Sequence, residues 1–145
     1  MTIKQIVEKL VHKYGTRDPV RIAKGLGILI EYRHLKGIWG YFQLVYRIPV
    51  IHVAIGLPEA LALFVIAHEL GHRLLHPNVS VPFLRANTFT NIGGYEREAN
   101  QFAVELLIPD EMLRSGVSVY EAAAASGVPE ELAELKISPG SSSMA

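Results

Sequence analysis

Cysteine is absent from the 145 residues, which excludes a disulfide framework, a thiolate metal site and a thiol nucleophile. Any metal must therefore be held by histidine and carboxylate. An excess of charge is missing too: 14 Lys and Arg balance 14 Asp and Glu, so no overall field pulls the chain toward nucleic acid or an anionic membrane. A long apolar run is also lacking, because Pro49, His52, Gly56, Pro58 and Glu59 interrupt the most apolar stretch, residues 48–67. No apolar block follows Met1-Thr2-Ile3-Lys4-Gln5, which argues against a secretory signal. These absences predict a soluble, cytoplasmic protein that neither spans nor binds a membrane.

What is present suits one compact domain over 1–137, followed by a disordered tail over 138–145 that is rich in Ser, Pro and Gly. Charge is unevenly spread, with eight basic and three acidic residues in 1–36 against two basic and six acidic in 110–145. Solvated helix faces account for this most simply, and a basic surface facing an acidic partner is the sharper alternative.

Thr2 and Gln5 form a capping-box pattern ahead of Ile3, Ile6, Val7, Leu10, Val11 and Tyr14 at helical spacing, so 3–14 is expected to be a helix ended by Gly15. Asp18-Pro19 opens a second, short helix through Lys24. Strands are expected at 29–33, 39–46 and 50–55, from their aromatic and branched content. Pro58-Glu59 starts a long helix to about Leu75, closed by Pro77. Residues 77–94 read as a loop, 95–107 as a second long helix, and the remainder as two short helical patterns around Gly127-Val128-Pro129. The expected class is α+β: a small three-stranded sheet packed on an active-site helix and a second ligand-bearing helix, with mostly helical termini.

The first long helix carries His68-Glu69-Leu70-Gly71-His72. Positions four apart lie about 40° from each other around a helix, so both imidazoles can aim at one point. That suits two ligands of a tetrahedral Zn²⁺. Glu69, about 100° from His68, can reach a water held by the metal, take its proton as it attacks a carbonyl, and pass the proton to the leaving amine. Gly71 costs helix stability of about 1 kcal/mol against Ala, so its presence suggests close backbone approach. By chance the pattern occurs in roughly one chain of this length in a few hundred.

A zinc peptidase site needs one more protein ligand and an open position. Position 78 is Asn, not the third His of the metzincin spacing. His76, a turn beyond His72, lies too far along the helix to share the ion and reads as a helix-end or supporting residue. On the second helix Glu96 shares a face with Ala99, Asn100, Ala103 and Leu107, small and apolar enough to press on the motif helix, which makes it the better ligand. Asn100 is placed to hydrogen-bond a zinc-bound imidazole. Glu98 shares a face with Gln101 and Glu105 that is expected to meet solvent.

The blocks Ala67-His68-Glu69-Leu70-Gly71-His72-Arg73-Leu74-Leu75-His76, Glu96-Arg97-Glu98-Ala99-Asn100-Gln101-Phe102-Ala103 and Leu106-Leu107-Ile108-Pro109 together resemble the ImmA/IrrE metallopeptidase family. Residues 17–19 and 22–28 resemble its N-terminal region. The resemblance implies a gluzincin-like site, with His68, His72 and Glu96 holding zinc and Glu69 as the base. It also implies a bacterial, phage or mobile-element setting and a helix-turn-helix repressor as the protein substrate. Larger relatives add a DNA-binding or regulatory domain for which this chain has no room, so a stand-alone protease is expected.

A peptide substrate is expected to add to an exposed strand edge, for which the 50–55 strand is the candidate. His52 on that strand either faces the cleft or is structural, and Tyr95 is the candidate donor to the carbonyl oxygen. Two other readings compete: a zinc-containing regulatory or adaptor protein with little proteolysis, and a DNA-binding module. For the second, Ala123-Ala124-Ala125-Ser126-Gly127-Val128 echoes a helix-turn-helix spacing, but the acidic surroundings and Pro129 speak against direct DNA contact.

Overall fold

The computed structural model describes residues 1–78 and 93–139, together with the backbone of Leu84 and Arg85. The expected loop at 77–94 and the expected tail from 138 therefore fall largely outside the described residues. Helix α1 (Ile3–Tyr14) starts on the capping box read from sequence and ends at Gly15, whose φ of 68° suits glycine. Helix α2 (Pro19–Gly25) is capped by Asp18, whose carboxylate accepts from the Val20 N–H at 2.9 Å.

Strands β1 (Leu29–Arg33), β2 (Ile38–Val45) and β3 (Ile48–Ala54) lie close to their expected bounds. Within the expected loop, Leu84–Arg85 adds a short β4, giving the sheet order β1-β3-β2-β4. β2 and β3 pair antiparallel across a two-residue turn whose Tyr46 and Arg47 both have positive φ, 50° and 70°. That is the hand a two-residue hairpin needs to follow the strand twist. β1 then runs parallel to β3 on its other side, with Ile30 opposite Ile51. This corrects one expectation. β3 was the candidate edge for a peptide, yet its backbone groups pair with β1 on one side and β2 on the other, and its run Val50–Ala54 is buried as an interior strand's is.

Helix α3 (Glu59–Leu75) is the centre of the molecule: every residue from Phe64 to His72 is buried. Ile51 and Val53 of the sheet share its core with Phe64, Val65 and Ile66. Helix α4 (Gly94–Leu107) packs along α3, and Gly71 is what admits it. A Cβ at Gly71 would stand 3.0 Å from carbons of Phe102, tighter than packed carbons normally tolerate. Helices α5 (Asp110–Arg114) and α6 (Val119–Ser126) and a 3₁₀ helix (Glu130–Leu135) complete the described chain. α5 is an addition to the two short helices expected there.

The acidic C-terminal part folds back onto the basic N-terminal part. Lys136 Nζ lies 2.8 Å from Glu105 Oε1 and 2.8 Å from Asp110 Oδ1, while Lys4 Nζ reaches the same Asp110 oxygen at 2.6 Å. Glu105, expected on a solvent face of α4, is instead fully buried, and its Oε2 accepts from the Ile137 N–H at 2.8 Å. Some of the uneven charge is thus satisfied inside the molecule. Among the described residues no helix is long and apolar enough to cross a membrane.

Candidate metal centre

Two helices build the site, each by its own periodicity. α3 contributes His68, Glu69 and His72, all buried, and ends on His76, its last cap residue. α4 contributes Glu96 in its first turn and Asn100 one turn later. The close approach at Gly71 and Phe102 brings these faces together. His68, His72 and Glu96 each offer one ligand atom, all within 4.8 Å of one another.

The hydrogen bonds fix which atoms face the centre. His68 Nδ1 lies 2.8 Å from Asn100 Oδ1, an acceptor, so this nitrogen carries the hydrogen. His68 Nε2 is then a bare lone pair. Its neighbour is Glu96 Oε2 at 3.3 Å, another acceptor, and among the described residues Nε2 is buried without a hydrogen-bond partner. With His68 neutral, two lone pairs facing each other inside a protein are repulsive unless a cation, metal ion or proton, lies between them. A tetrahedral zinc ion with bonds near 2.05 Å spaces its ligand atoms about 3.3 Å apart. The His68–Glu96 spacing and the donor set of two imidazoles and a carboxylate therefore fit such an ion. His72 Nε2 approaches Glu96 Oε1 more closely, at 2.5 Å, as a charge-assisted hydrogen bond that an ion would replace.

Two carboxylates one helix apart are driven in opposite directions. Burial opposes ionisation of Glu96, but its contacts with the His68 and His72 imidazoles outweigh it and bring the carboxyl down to about 2. Glu69 is fully enclosed, and burial, opposed by His72 and helped by Glu96, pushes its carboxyl up to about 8. Among the described residues both Glu69 oxygens are buried without a partner, and Oε2 stands 4.0 Å from His68 Nε2. With no cation beside it Glu69 thus keeps its proton at neutral pH, and a cation at the ligand cluster would favour its ionised, proton-accepting form.

The remaining candidates fall around this centre. His76 is 7% exposed and lies outside the ligand cluster, with its Nδ1 3.2 Å from His72 Nδ1 and its Nε2 2.8 Å from Glu98 Oε1. Glu98 is exposed, as its helix face suggested, but the His76 contact was not anticipated; the signal was the spacing of four between His72 and His76. Tyr95 is half exposed and its ring meets the His76 ring edge-on at 4.6 Å. His52 lies on the sheet face opposite Ile51 and Val53, where it accepts from Arg33 Nε at 2.9 Å, donates to Gln43 Oε1 at 2.9 Å and stacks on Tyr41. Burial, reinforced by the Arg33 charge, lowers its pKa, so it is a neutral tie within the sheet.

The model of the Peptidase_M78 family, described as the IrrE N-terminal-like domain, matches residues 23–138. A protein of Bacillus phage phi105 named "Uncharacterized immunity region protein 2" is 37% identical over 139 residues, covering 92% of this chain and 88% of the relative.

Proposed function

The chain belongs to the Peptidase_M78 family, and we propose that it is a zinc-dependent endopeptidase, with His68, His72 and Glu96 holding the metal and Glu69 carrying the proton. One observation supports this reading above the others: among the described residues, His68 Nε2 and both Glu69 oxygens are buried without partners, with Glu69 Oε2 4.0 Å from that nitrogen. Leaving three polar atoms unsatisfied costs several kcal/mol in total, at about 1–3 kcal/mol each, unless a ligand supplies what they lack.

When bound, zinc supplies an acidified water and polarises the carbonyl to be cleaved. The chain's own residues do the rest. Asn100 keeps the His68 proton on Nδ1, so that Nε2 stays free for the metal. Glu96, ionised at neutral pH, brings a negative charge that offsets the charge of the ion. Glu69 accepts a proton during attack on the peptide carbonyl and delivers it to the leaving amine, which balances the hydrolysis. Its enclosure on α3 excludes bulk water, so the proton passes between Glu69 and the reacting groups.

As substrate we propose a helix-turn-helix repressor of a phage or mobile element, cut inside a bacterial cytoplasm. The phage relative's immunity-region name is consistent with that substrate. The test mixes the purified zinc-loaded protein with the repressor encoded beside its gene. Specific cleavage is expected, and Glu69→Gln should abolish it with zinc retained. Cleavage that survives Glu69→Gln overturns the mechanism. Zinc retained with no cleavage by the unsubstituted protein favours the regulatory reading.

A further inference from the structure

The two metal-facing histidines are supported differently. His68 is oriented by Asn100, a neutral and buried amide 1% exposed. His72 leans instead on a second imidazole and, through it, on the Glu98 side chain at the surface. His72 Nδ1 lies 3.2 Å from His76 Nδ1, and His76 Nε2 lies 2.8 Å from Glu98 Oε1. The hydrogens in this row follow from its two ends. Once Nε2 of His72 faces a metal, its hydrogen must sit on Nδ1, and His76 Nδ1 is the acceptor placed against it. His76 must then carry its own hydrogen on Nε2, where the Glu98 carboxylate accepts it. With Nε2 of His72 given to a metal, this arrangement leaves every donor in the row with an acceptor.

We propose that Glu98 and His76 are positioning residues for the metal centre. They form a relay, carboxylate to imidazole to imidazole, that sets the tautomer and ring orientation of His72 and makes it the more electron-rich ligand. This inference rests on the metal-centre reading above. A hydrogen-bonded carboxylate behind an imidazole raises its basicity as a ligand more than a neutral amide does. The burial pattern supports a role beyond stability. The Glu98 side chain is 52% exposed while the His76 side chain is 4% exposed. An exposed carboxylate paired with one imidazole stabilises a fold by little, whereas the imidazole it meets is enclosed against the His72 ring, with centroids 5.4 Å apart. The Tyr95 ring packs edge-on against His76, with centroids 4.6 Å apart.

The relay is tested by zinc affinity, from competition with a chromophoric chelator, in the unsubstituted protein, Glu98→Ala, His76→Phe and the double variant. His76→Phe should weaken zinc binding about 10-fold, at the low end of what such supporting groups contribute, and Glu98→Ala about 3-fold. The double variant should be no weaker than His76→Phe alone, because Glu98 acts only through His76. Glu98→Gln, which keeps an acceptor, should restore part of the loss. Additive losses, or an unchanged affinity in Glu98→Ala, overturn the relay. A second readout needs no variant to fold: long-range proton–nitrogen spectra of the zinc-loaded protein should show His76 with its hydrogen on Nε2, and a hydrogen on Nδ1 overturns the proposal. One zinc bound, lost in His72→Ala yet unaffected in Glu98→Ala, removes the relay and leaves the metal centre standing. No zinc bound by the unsubstituted protein removes both.

Discussion

Asn100 Oδ1 stands 2.8 Å from Nδ1 of His68, on the side of the ring away from the ligand cluster. That one bond decides which nitrogen faces Glu96. Without it, neutral His68 can carry its hydrogen on Nε2 and donate to Glu96, and a metal would have to displace that hydrogen. Asn100→Ala is therefore expected to weaken zinc binding about 10- to 100-fold, the usual cost of losing a group behind a metal-bound imidazole. Asn100→Asp keeps the acceptor and should retain most of the affinity. Chelator competition with the two variants checks this, and equal affinity in Asn100→Ala would sink the assignment.

Glu69 makes a prediction about pH that concerns the metal-stripped protein alone. Its carboxyl titrates at about 8 in the fold, against an ordinary value of 4.5. The folded state binds the proton more tightly than the unfolded chain does. The stability Glu69 confers is therefore whole below about pH 4.5 and is lost as the pH rises through about 8. Glu69→Gln stays neutral throughout. At about 1.4 kcal/mol per pH unit between the two titrations, the variant should gain on the parent by up to a few kcal/mol. Melting temperatures in chelator should nearly coincide at about pH 4.5 and separate progressively toward pH 8, the variant melting higher. A pH-independent difference would show that Glu69 is ionised throughout.

These residues were legible because helices are local. Thr2 with Gln5, Asp18 with Pro19 and Pro58 with Glu59 marked starts that the structure keeps. His68, His72, Glu96 and Asn100 could be paired by counting around two helices. Sheet order is not local. The run Val50-Ile51-His52-Val53-Ala54 carried the mark of an interior strand, burial on both faces, but which strands would flank it depended on a parallel partner, β1, a hairpin away in sequence. α4 failed the wheel argument for a related reason. Glu98 and Glu105 lie on the same side of that helix, two turns apart, yet the Glu98 side chain is 52% exposed and Glu105 is fully buried. The segment around Lys136 and Ile137 covers only the second half of the helix, and no periodicity within α4 announces a distant strand of chain.

That covering segment yields the last prediction. Lys136 and Glu105 are both fully buried and 2.8 Å apart, and Asp110 and Lys4 extend the pair to the surface. Lys136→Met leaves Glu105 enclosed with the Ile137 N–H and a more distant Lys4, 3.6 Å away. Removing one partner of a buried pair costs about 3–5 kcal/mol, because the other charge stays behind. Urea unfolding at neutral pH should show a loss of that size, and a second change, Glu105→Leu, should recover much of it. The loss should also depend on pH. Burial raises the Asp110 carboxyl, but hydrogen bonds from Lys136 and Lys4 outweigh it and hold it below its ordinary value. Its contribution is present above the ordinary carboxylate range and vanishes as the pH falls through the lowered value. The gap between Lys136→Met and the parent should therefore narrow in acid. A gap that widens in acid, or a variant as stable as the parent at neutral pH, would mean that the network does not hold the ligand-bearing helix to the two ends of the chain.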